Sequence, residues 1–106
     1  MRTLSADELL EMAEMFRMLG EPNRLGIVLS CLEEAVTVGN MAERLGLSSS
    51  LVSHHLRLLK AARLLKAERE GKHVRYLVAD QHIREVLSNM VEHLAEEDDP
   101  TNGSLN

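Results

Sequence analysis

The 106-residue chain has one cysteine, two prolines, no tryptophan, and a single tyrosine and phenylalanine. A lone cysteine, Cys31, excludes an internal disulfide framework and suits a reducing compartment, so a cytoplasmic protein is expected. With aromatics at 2% of residues, Leu, Val, Ala and Met must fill the core. A domain this small often completes such a core by pairing with another copy. No apolar run approaches the roughly 18 residues a bilayer span needs, and no charged-then-apolar signal segment opens the chain. A membrane partner is therefore not expected. Neither an internal repeat nor a linker interrupts residues 5–96. One domain over residues 1–97 is expected, followed by a disordered acidic tail over 98–106 that has Pro100 and Gly103 and one apolar side chain.

The net charge of −5 is unevenly spread. Residues 1–47 carry four basic and eight acidic groups, residues 48–77 seven basic and two acidic, and residues 78–106 one basic and seven acidic. An acidic protein with a basic middle third has the electrostatic footprint of a phosphate-binding surface. By itself such a stretch is more often a solvated face, so the local pattern must carry the assignment.

The apolar periodicity predicts five helices. Ser5 followed by Glu8 is a capping box ahead of Leu9, Met12, Ala13, Phe16 and Leu19 at helical spacing. Pro22 suits the first turn of a second helix reaching about Leu32. Thr37 and Gly46 bracket a short third helix, Val38–Leu45. Ser48 caps a fourth, with Leu51, Val52, Leu56, Leu59 and Ala62 on its apolar side. Leu65–Leu77 reads as two short strands turning near Glu70-Gly71. Asp80 caps a last helix of about sixteen residues, whose stripe of Ile83, Val86, Leu87, Met90, Val91 and Leu94 follows helical spacing throughout. The fold class expected is mainly α with a small β-hairpin.

Two constellations point to function. The third and fourth helices, joined at Gly46, form a helix-turn-helix pattern, which places the start of its second helix in the DNA major groove. Ser49, Ser50, Ser53, His54 and Arg57 are the candidates there, because hydroxyls and guanidinium groups bond base edges or phosphates. Arg69, Lys72, His73 and Arg75 surround the hairpin, making it a wing able to grip the adjacent backbone. The second constellation is Asp80, His82, His93 and Glu96 on the last helix. At about 1.5 Å per residue, His82 and His93 lie roughly 16 Å apart, too far for one ion whose ligands sit about 2 Å from it. An antiparallel second copy resolves this. A two-fold axis brings together residues whose numbers have a constant sum, and 82 with 93 gives 175 while 80 with 96 gives 176. Two equivalent sites result, each built from both chains. Two imidazoles and two carboxylates make a tetrahedral set suited to Zn(II), with Co(II) and Cd(II) as surrogates. Singly, each residue reads as ordinary: Asp80 a cap, the histidines flank residues, His93 and Glu96 a surface pair.

The run Leu47-Ser48-Ser49-Ser50-Leu51-Val52-Ser53-His54-His55-Leu56-Arg57-Leu58-Leu59-Lys60 resembles the recognition-helix signature of the ArsR–SmtB winged-helix repressors, and Leu19-Gly20-Glu21-Pro22-Asn23-Arg24-Leu25 resembles that family's opening. The resemblance covers about residues 8–96. It implies a winged helix-turn-helix homodimer packed through its first and last helices, operator DNA as partner, and release when an effector ion binds. It also implies a zinc-type site at Asp80, His82, His93 and Glu96. The thiolate element of the soft-metal branches falls on Val36-Thr37-Val38-Gly39, which has no cysteine. An alternative is the same fold sensing Ni(II) or Co(II), and another a constitutive DNA-binding module without an ion. An enzyme or a binder of small organic substrates is not expected, since no second histidine or oxyanion element stands near His93.

Overall fold

A computed structural model describes residues 1–97, so the expected tail over 98–106 lies outside the described residues. Helix α1 (Ala6–Leu19) opens on the complete capping box: Glu8 N–H donates to Ser5 Oγ at 3.1 Å and Ser5 N–H to Glu8 Oε1 at 3.0 Å. Helix α2 (Pro22–Ser30) has Pro22 in its first turn, and the Glu21 carboxylate accepts from the Asn23 and Arg24 amides at 3.1 and 2.9 Å. Arg24 Nε then donates to Met18 O at 2.9 Å, which fixes the α1–α2 corner. The helix stops at Ser30, two residues short of the expected end.

Strand β1 (Val36–Thr37) leads directly into α3 (Val38–Leu45), capped by the Thr37 hydroxyl and ended by Gly46 in the left-handed conformation at φ 68°. Helix α4 (Ser49–Ala61) is capped by Ser48 Oγ, which accepts from Leu51 N–H at 3.1 Å. It ends in a Schellman pattern: Leu64 N–H donates to Leu59 O and Arg63 N–H to Lys60 O, both at 3.0 Å. The left-handed position of that cap is normally glycine's, but here it is Arg63 at φ 62°. Leu59 and Leu64, both fully buried, supply the accompanying apolar contact.

Strands β2 (Leu65–Glu70) and β3 (His73–Val78) form the hairpin, with Gly71 at φ 62° in its two-residue turn. Strand β1 adds to the other edge of β3, giving an antiparallel sheet of order β1-β3-β2 where a two-stranded hairpin is expected. Two residues are too few to show a strand period, so β1 leaves no signal in the sequence. Helix α5 (Gln81–Glu97) starts at Asp80, whose Oδ1 accepts from Ile83 N–H at 3.0 Å. Arg84 Nε anchors it to Leu32 O at 3.0 Å.

The core lies where α2, α3, α4 and the sheet meet, around Ile27, Val28, Met41, Val52, Leu56 and Leu59. Helices α1 and α5 join its edge through Met18 and Leu87, with Met15, Leu19 and Ile83 packed beside them. Met18 is the sole buried residue of α1, and among the described side chains of α5 Leu87 is the sole buried one. Phe16 is 54% exposed, Met90 54% and Leu94 61%, although each sits on the apolar stripe of its helix. Between the two helices lies an apolar cavity of about 310 Å³, lined by Met12, Phe16, Ile83, Val86 and Met90 among others. The stripes that periodicity assigns to a core are buried only in part by this chain. Exposed apolar stripes of this extent mark an interaction surface.

Candidate functional site

Helix α4 divides its residues as a DNA-reading helix must. Ser49, Ser50, Ser53, His54 and Arg57 are all exposed, while Val52, Leu56 and Leu59 are buried against the core. The Ser48 hydroxyl is committed to the cap, which leaves Ser49 and Ser50 hydroxyls at the helix start where backbone N–H groups favour phosphate. Leu51, expected on the apolar side, is 36% exposed and sits at the edge of the polar face.

One residue of this helix was not among the expected site residues. His55 is 7% exposed, and its Nδ1 has no hydrogen-bond partner among the described residues. It completes the buried stripe Val52, His55, Leu56, Leu59 at i, i+3, i+4, i+7, and that spacing is the sequence signal for it. Burial pushes its imidazole below the ordinary value; the Glu21 carboxylate opposes this, while Arg24 and His54 add to it. The unfolded chain therefore takes up this proton more readily than the folded one. The stabilisation is present above the unfolded value near 6.5 and is lost as pH falls below it. Denaturant unfolding at pH 7.5 and 5.5 is expected to show lower stability at 5.5, and His55→Leu to flatten that dependence. An unchanged slope in His55→Leu would assign the effect to other groups.

The wing separates its cations onto two faces. The register pairs Glu68 with Arg75, Arg69 with Val74 and Glu70 with His73. Because side chains alternate along a strand, Arg75 shares a face with Glu68 and Glu70, while Arg69 lies on the other. Arg75 Nη1 lies 3.4 Å from Glu70 Oε2. Lys72 and Arg69 are exposed at and beside the turn. Of the basic cluster read from the sequence, Arg75 is counter-charged and His73 stands across from Glu70, while Arg69 and Lys72 have no carboxylate directly across the strands.

On α5 the four ligand-type residues are all exposed. Asp80 and His82 lie together at the helix start, Nδ1 of His82 being 3.8 Å from Asp80 Oδ1. His93 and Glu96 lie at the far end, more than two turns beyond. Among the described residues no group of three or more His, Cys, Asp or Glu side chains within one chain could hold a metal ion. Cys31 is no substitute: it is fully buried in the core, and burial, slightly opposed by Arg44, pushes its thiol up to about 11. Among the described residues no helix is long and apolar enough to cross a membrane.

The geometry has counterparts among known proteins. Residues 21–67 match the bacterial regulatory protein, arsR family. The chain is 36% identical over 95 residues to the transcriptional repressor SmtB homolog of Synechocystis sp., covering 90% of this chain and 72% of that one. It is 37% identical over 91 residues to the HTH-type transcriptional repressor SmtB of Mycobacterium tuberculosis, covering 85% and 67%. The homodimeric winged helix-turn-helix DNA-binding domain of Mb0332 from Mycobacterium bovis superposes with a TM-score of 0.77 at 25% identity, over 92% of this chain and 93% of that one. The NMR structure of the cadmium metal-sensor CMTR from Mycobacterium tuberculosis gives a TM-score of 0.67 at 38% identity, over 74% and 82%. A buried helix-turn-helix core, an exposed polar recognition face and two apolar helices awaiting a twin all fit one assignment. The chain belongs to the arsR family of bacterial regulatory proteins, winged-helix transcriptional regulators that bind operator DNA and self-associate, and it is not an enzyme.

Proposed function

We propose that this regulator is a metal-responsive repressor of the cytoplasm. Metal-free, its homodimer holds an inverted-repeat operator; with Zn(II) bound at two sites along the last helices it lets go, and genes for metal efflux or sequestration are expressed. The observation that carries this reading is the placement of Asp80, His82, His93 and Glu96, exposed at the two ends of a helix whose apolar face is also exposed. Under the two-fold relation their spacing implies, Asp80 and His82 of one chain meet His93 and Glu96 of the other. The same relation puts the exposed Val86 opposite Met90, whose numbers also sum to 176. Ligands and apolar contacts thus call for one register.

The donor set suits Zn(II): four protein groups, two nitrogen and two oxygen, leave no open position, as in sites that bind but do not catalyse. A bound ion would add a fixed cross-link between the two last helices. Asp80 can ligate without giving up its cap, because Oδ1 accepts from Ile83 while Oδ2 stays available. A ligating histidine normally donates its second ring N–H to an acceptor. For His93 that acceptor would be near Arg63, the left-handed residue at the end of the recognition helix, whose guanidinium lies 3.5 Å from Glu11 of α1. Such a bond would tie the seam to the recognition helix, whose spacing from its twin must match successive major grooves, about 34 Å apart.

The buried, protonated Cys31 and the absence of any thiol at Val36–Gly39 argue against a soft-ion site in this chain. The relation to a cadmium sensor supports a metal effector without fixing which ion. The test is operator binding by the pure homodimer against Zn(II), Co(II), Cd(II) and Ni(II), using a duplex selected from random-sequence DNA, with metal measured per dimer. Two zinc ions per dimer and release by zinc are expected. Release by nickel alone would favour the alternative of the same fold sensing Ni(II), and operator binding indifferent to all four would sink the metal reading.

A further inference from the structure

The wing carries two carboxylates where a hairpin built only to hold phosphate would carry none. Glu68 stands directly across from Arg75 in the β2–β3 register, and Glu70 Oε2 lies 3.4 Å from the Arg75 guanidinium. Both partners of that ion pair are solvent-exposed, Arg75 at 45% and Glu70 at 70% of their side chains, so neither is there to satisfy a buried charge. Alternation along the strands places all three on one face of the hairpin. Arg69, on the other face, and Lys72, in the turn, have no such carboxylate opposite them.

We infer that Glu70, assisted by Glu68, is a positioning residue for DNA binding: it holds Arg75 away from phosphate in the free protein and so sets an upper limit on DNA affinity. This rests on the reading of the wing as a phosphate grip. Affinity for DNA of arbitrary sequence comes almost wholly from cations that displace condensed counterions, each adding about 0.9 to the salt slope. A guanidinium engaged by a carboxylate displaces none until the pair breaks. An exposed ion pair is weak enough to be broken by a strong competitor, so the arrangement attenuates binding and does not forbid it. For a repressor that an effector must release through a finite coupling, limited backbone affinity keeps the operator complex within reach of release.

The test uses the metal-free homodimer and a random-sequence duplex, followed by fluorescence anisotropy across a salt series. Glu70→Gln is expected to raise affinity about threefold to fivefold at about 50 mM salt and to steepen the salt slope by up to about one. Glu70→Thr, which keeps a good strand former at the position, is expected to do the same, so a folding defect in one variant does not decide the matter. In an Arg75→Ala background the Glu70→Gln effect is expected to fall below about twofold, since the carboxylate acts through that guanidinium. A purely structural cross-strand pair would lower thermal stability and leave the slope alone, and that result would overturn the inference. So would a gain that persists undiminished in Arg75→Ala, which would mark a general charge effect. Arg69→Ala and Lys72→Ala serve as the reference. If they weaken binding and Glu70→Gln changes nothing, only this inference fails; if neither weakens binding, the wing reading fails and takes the inference with it.

Discussion

Zinc is expected to weaken operator binding by the wild-type homodimer roughly 150-fold, and to leave His93→Ala on its operator. The figure corresponds to a coupling of about 3 kcal/mol, the upper part of the usual range between two sites. His93 is the residue to remove because two roles meet in it: ligand at the seam and donor toward the end of α4. His82→Ala should abolish zinc response by loss of a ligand alone. Asp80 needs a gentler change. Its Oδ1 caps α5 through Ile83 N–H, so Asp80→Ala would shorten the helix as well as remove a ligand, whereas asparagine retains capping ability. Asp80→Asn is therefore expected to keep operator affinity and weaken zinc response. Linkage makes the effect reciprocal: operator DNA must weaken zinc binding by the same factor. Equal zinc release from wild type and His93→Ala would remove the last helix as the effector site.

Met90→Lys is expected to convert the homodimer to monomers and to cost operator affinity two to four orders of magnitude. Met90 is 54% exposed on α5, opposite Val86 of the second chain in the register proposed above. Burying a methionine contributes about 1.5–3 kcal/mol, and a two-fold interface loses it twice. About 4 kcal/mol in all weakens dimerisation on the order of a thousandfold. A monomer then holds one half-site without the effective concentration that linkage to a second module supplies. Analytical ultracentrifugation reads the first effect and anisotropy the second. A Met90→Lys protein that remains dimeric would place the interface elsewhere, and the exposed stripes of α1 and α5 would need another occupant.

How legible all this was in the sequence depended on the range of the interactions concerned. The ends of α3 follow from Thr37 and Gly46 because capping is decided within four residues, and the same holds for Ser48 and Asp80. Strand β1 was invisible because it exists only through pairing with Tyr76 and Arg75, some forty residues later. His55 was overlooked as a buried residue because its side chain is polar, although its spacing from Val52 and Leu59 marks the core face. The wing's basic residues could be counted but not sorted, since the division of Arg69 from Arg75 depends on strand register. The most instructive case is the pair of apolar stripes. Periodicity correctly places them on α1 and α5 but cannot say whether this chain buries them; Phe16 at 54% and Leu94 at 61% exposure show that it does so only in part. Family membership rests on comparison, and the ligand roles of Asp80, His82, His93 and Glu96 rest on the argument from spacing.

That argument has one direct test. If each site is shared, a chain carrying His82→Ala and a chain carrying His93→Ala fail separately but succeed together. In the mixed dimer one site loses both histidines, while the other pairs the intact His93 of the first chain with the intact His82 of the second. Zinc titration of differently tagged, co-purified chains against a competing chelator is predicted to show no tight zinc in either mutant homodimer and one tight zinc per mixed dimer. A mixed dimer that binds none would contradict the shared site and the antiparallel register from which the whole account of release is built.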